Sequence, residues 1–77
     1  MYLVSDSAHM PMAVFSQESK AINYLCALNQ VAIKYSCIDP IPGHPTMFRV
    51  YTEAYPENLE KTLGYVRGGV QIDPHFS

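Results

Sequence analysis

The residues best equipped for chemistry are two cysteines, Cys26 and Cys37, and three histidines, His9, His44 and His75. Together they hold the donor atoms of a zinc site. No CxxC or HxxxH spacing sets two ligands side by side, however, as structural zinc sites do. Cys26 falls on the apolar side of a helical stretch, and Cys37 continues an alternating apolar run, so both read as small hydrophobic core residues. A disulfide between them needs Cα atoms within about 7 Å. The N-terminus lacks the basic and apolar regions of a signal peptide, so the expected location is the cytoplasm, where thiols stay reduced.

Nucleophilic catalysis fares no better. A Cys–His or Ser–His pair needs no adjacency in sequence, yet the chain has no GxSxG elbow, no Gly-rich phosphate loop and no HExxH helix. With 77 residues there is little volume for a pocket of about 300 Å³ or more beside a core. The expectation is a non-enzyme that carries no cofactor and no metal. The rival is a small metal- or ligand-binding enzyme.

The tyrosines carry more information. An aromatic body desolvates while its hydroxyl still bonds, which is why Tyr and Arg are enriched at the energetic centres of protein interfaces. Tyr51 lies on the polar side of a strand with Arg49 and Glu53, and Tyr55 follows in the next loop. These four residues form the expected partner-binding set. Ordinary strand preference accounts for tyrosine equally well, and Tyr24 and Tyr65 are weaker candidates for the same role. Pro42 to Pro45 matches the PxxP pattern of SH3 ligands, but a rigid connector explains it too.

The elements that must hold these residues can be read from periodicity. Tyr2–Ser5 and Met12–Phe15 are short strand-like runs on either side of a loop. Residues Ser16 to Asn29 read as one amphipathic helix, with Ala21, Ile22, Leu25 and Leu28 at helical spacing. Ser16 is the expected N-cap, and Glu18 suits the positive end of the helix dipole. From Val31 to Ile38 the period changes to two. Asp39-Pro40 should stop that strand, since three prolines in seven residues remove ladder donors. Met47–Glu53 resumes the alternation, with Phe48 and Val50 on one side and Arg49, Tyr51 and Glu53 on the other.

Residues 56–67 allow two readings. Pro56 and the spacing of Leu59, Thr62, Leu63 and Val66 favour a short helix ended by Gly68-Gly69, then a strand at Val70–Ile72 closed by Asp73-Pro74. A hairpin around the two glycines is the alternative. The order β-β-α-β-β-(α)-β predicts a single α+β domain over residues 1–77, a small mostly antiparallel β-sheet with one main helix packed on one face.

Composition narrows the partners. Hydrophobic residues make up 48% of the chain and charged ones only 16%, so less of the surface is protected by charge and association is open to it. The five basic residues are scattered singly and the net charge is −2, which argues against nucleic acid. No apolar run approaches the roughly 20 residues that span a bilayer. The second sheet face has nothing large in the chain to cover it, so it must be polar or meet a partner. The expected function is therefore a non-enzymatic protein–protein interaction module that binds a larger protein or complex. Small phage and mobile-element accessory proteins that inhibit host complexes, anti-defence proteins included, are the category this size and plainness suggest. The alternative is a self-associating structural or regulatory homodimer.

Overall fold

The computed structural model describes residues 1–55 and 59–69, with only the backbone of Ala54, Tyr55 and Leu59. Strands β1 (Tyr2–Ser5) and β2 (Pro11–Phe15) lead into helix α1 (Glu18–Leu28). A 3₁₀ turn at Ile33–Tyr35 precedes β3 (Ser36–Ile41), β4 (His44–Tyr55) and β5 (Leu59–Arg67). The strands form one sheet in the order β2-β1-β5-β4-β3. Every neighbouring pair is antiparallel, with β1 lying between β2 and β5. The predicted α+β architecture, a small antiparallel sheet with one main helix on one face, is what forms.

Helix α1 lies on β5, β1 and β2. Its buried residues Ala21, Ile22, Leu25 and Cys26 close on Val4, Val50, Leu63 and Val66, whereas Leu28, expected on the same face, lies in the last turn and is exposed. Phe15, Tyr2, Tyr24 and Val31 pack around this core. Gly64 is part of that contact for reasons of space. A Cβ there would run into the Ser5 carbonyl oxygen and sit 2.6 Å from Leu25 Cδ2.

The helix ends differ from expectation. Gln17, not Ser16, stands at the N-cap with extended backbone, and no side chain caps the helix. At the other end Gln30 adopts φ 58°. The Val31 N–H donates to the Cys26 carbonyl at 2.9 Å and the Gln30 N–H to the Ala27 carbonyl at 3.2 Å, the two bonds of a Schellman motif. The chain therefore leaves the helix in a left-handed turn, and Ile33–Tyr35 coil into a 3₁₀ turn where the predicted Val31–Ile38 strand should have begun; the strand starts at Ser36.

Two further corrections concern the sheet. Pro40 does not stop β3, which pairs with β4 through Ser36↔Thr52 to Pro40↔Phe48 and ends at Ile41↔His44. Strand β3 is an edge strand, where a proline whose nitrogen faces outward costs no ladder bond. Pro42-Gly43 makes the turn, with Gly43 at φ 82°, the positive value a type II turn needs after its proline. The helix expected over Leu59–Val66 is instead strand β5. Val50 pairs with Gly64 and Tyr51 with Thr62, which leaves Leu63 as the extra residue of a β-bulge. The bulge sends both Leu63 and Gly64 toward the helix and breaks the period of two, so the apolar spacing imitates a helix. The strand expected at Val70–Ile72 lies outside the described residues.

Candidate interaction face

Side chains of directly paired residues share a face of a sheet. Val4, Val66, Phe48, Val50 and Gly64 are linked by pairing and face α1. The opposite face therefore carries Leu3, Arg67 and Met47 in one row, and Ser5, Tyr65, Arg49 and Asp39 in the next. Thr62, Tyr51 and Cys37 form a third row. Among the described residues no helix packs on this face.

Its centre is a linked array. The Arg49 guanidinium is ion-paired with Glu60 and donates from Nη1 to Thr62 Oγ1 at 3.1 Å. The same guanidinium lies 4.3 Å above the centroid of the Tyr51 ring. The hydrogen bond to Glu60 is the main cause that holds Arg49 above its ordinary pKa; desolvation opposes it, and the charges of Glu60 and Asp39 add smaller support. The Tyr51 hydroxyl donates to the Asp39 carboxylate, and that bond, followed by desolvation and the carboxylate charge, pushes its pKa up to about 12. Three strands are thus tied together by Glu60 on β5, Arg49 and Tyr51 on β4, and Asp39 on β3.

Beside the array, the His9 ring stacks on Tyr65 with centroids 4.0 Å apart. The loop that carries His9 is built by Asp6, whose Oδ1 accepts from the Ala8 and Met10 amides at 2.9 Å each. His9 itself sits at φ 64°, a region that histidine enters more readily than most residues.

Of the expected contact set, Arg49 and Tyr51 stand on the helix-free face, and Glu53 follows two residues on, exposed. Tyr55 is not in a loop: it is the last residue of β4, paired with Leu59, and its side chain lies outside what is described. Tyr65, a weaker candidate from the sequence, pairs with Arg49 on this face; Asp39, Glu60, Thr62 and His9 are not interface candidates by local pattern, because only contacts between distant segments bring them to it. Tyr24 is occupied within the fold, its ring 5.2 Å from that of Phe15.

Both cysteines are free, Cys26 buried and Cys37 half-buried. Among the described residues no group of three His, Cys, Asp or Glu side chains could hold a metal ion. His75 lies outside those residues. A cavity of about 330 Å³ does form, against the size expectation, between the Pro42-Gly43 turn and the end of β5. Among the described residues, His44 and Arg67 are the titratable groups of its lining, with no carboxylate or thiol beside them. No described helix is long and apolar enough to cross a membrane. The chain matches no protein-family model, no curated protein and no solved structure.

Proposed function

We propose that this chain is a non-catalytic, cytoplasmic interaction module that binds a larger protein through the helix-free face of its sheet, in the manner of small accessory proteins that inhibit a host complex. The observation that carries the reading is the array Glu60–Arg49–Tyr51–Asp39, set on a sheet face that no described helix covers. Tyrosine and arginine are the residue types that dominate binding energy at protein interfaces, and they do so best at the centre of a patch. Here both are held in place before any partner arrives, so little side-chain entropy is lost on docking.

The test is affinity capture from the native host, followed by quantitative binding to the captured protein. Tyr51→Ala and Arg49→Ala should each weaken binding by about 30-fold, the 2 kcal/mol of a hot-spot residue. Asn23→Ala, on the exposed side of α1, should leave it unchanged. Equal affinity for all four proteins would remove the helix-free face from the contact.

A further inference from the structure

The helix-free face is polarised along its strands. Arg67 stands at one end, paired with Met47, while Glu60 and Glu53 stand at the other, beyond the Tyr51 row. Tyr65, Arg49, Thr62 and Tyr51 occupy the two rows between. A two-fold axis lying across the strands turns one such face onto a second with the ends exchanged. Arg67 of each copy then meets the acidic end of the other, and the tyrosine rows meet at the centre. An axis along the strands would oppose like ends, which costs energy.

We infer that, when no partner is bound, a second copy of this chain covers the helix-free face across β3–β5 through that cross-strand two-fold. This rests on the reading of the face as the binding surface and names what regulates it: self-association and partner binding compete for Tyr51 and Arg49. The footprint follows from strand geometry. Nine residues of β5 and three strand spacings give roughly 30 by 14 Å. That is on the order of half the 800 Å² per partner of a standard stable interface. The dimer is accordingly reversible and set by concentration, and a tighter-binding partner displaces it.

Sedimentation velocity over a thousandfold concentration range tests the inference with the intact chain. The wild type should pass from monomer to dimer within that range. Arg67→Glu and Glu53→Arg, both at exposed positions, should each shift the midpoint upward at least tenfold. The double variant, with the charges exchanged, should restore it to within about threefold. Circular dichroism confirms that every variant is folded. A wild type monomeric throughout overturns the proposal, as does a midpoint that neither single change moves or that the double variant fails to recover. Partner binding lost in Tyr51→Ala but unaffected by chain concentration would overturn the competition while leaving the binding face intact.

Discussion

Replacing Gly64 with alanine should cost about 2 kcal/mol, though a methyl in a strand ordinarily helps. The backbone of Gly64 is not in the left-handed region, so the added carbon brings no conformational strain. The obstacle is space. One neighbour is the Ser5 carbonyl oxygen on β1, backbone that cannot swing aside. The others are the two methyls of Leu25, at 2.6 and 3.2 Å, on a fully buried side chain. Overfilling a packed site costs about 1–3 kcal/mol, and the backbone contact places this case at the upper end. Restricting the unfolded chain returns about 0.4–1 kcal/mol. For a chain of this size the net loss lowers the melting temperature by roughly 8–16 °C, a large part of what a small core supplies. Urea and thermal unfolding followed by circular dichroism measure it. A double-mutant cycle supplies the sharper check: Leu25→Ala alone should cost about 2–5 kcal/mol, and the pair should cost less than the sum because the new methyl enters the vacated space. A Gly64→Ala protein as stable as the parent, or strictly additive changes, would refute the packing account.

Two further outcomes concern the sheet. Gly43→Ala should lose about 1–2 kcal/mol for the opposite reason, since nothing lies within 4 Å of the new carbon but φ is +82°; Gly43→Asn, which tolerates that region, should lose less. Tyr51 should make stability depend on alkaline pH: its pKa is raised from 10 to about 12 in the folded chain. The associated stability is therefore complete below about pH 10 and is lost as pH rises toward 12. Urea midpoints across that window should fall more steeply for the parent than for Tyr51→Phe, and parallel curves would show that the Asp39 bond does not form.

How much of this was legible in the sequence depended on whether a residue's environment is set by its neighbours in the chain. Helix α1 was visible because Ala21, Ile22, Leu25 and Cys26 repeat at the period of their own secondary structure, and β4 because Phe48 and Val50 alternate against Arg49 and Tyr51. Pro40 misled because proline forbids a central strand and permits an edge, and which strands are edges is decided by pairing. Leu63-Gly64 misled because a bulge inserts a residue that exists only relative to β4. Gln30 gave no warning, since glutamine is an unusual occupant of the left-handed position that ends a helix. The site divides the same way. Arg49, Tyr51 and Glu53 share a face by local alternation alone, whereas Asp39, Glu60 and Tyr65 reach them through registers that no local pattern encodes.

Those distant partners change what the face can do. An unpaired Arg49 would be a flexible cation, and fixing it against a partner would cost the rotamer freedom that offsets much of the gain from a surface ion pair. Bound to Glu60 and Thr62, it is already fixed, and its guanidinium caps one face of the Tyr51 ring while Asp39 holds the hydroxyl. The charges are thus largely satisfied within the molecule, and new affinity must come chiefly from desolvating the rings of Tyr51 and Tyr65. Arg49 then contributes by orienting the Tyr51 ring as well as by its own charge. A partner suited to this face presents apolar surface to the rings and polar groups to the rim, and a second copy of the same face, tyrosine rows at its centre and opposite charges at its ends, has that form.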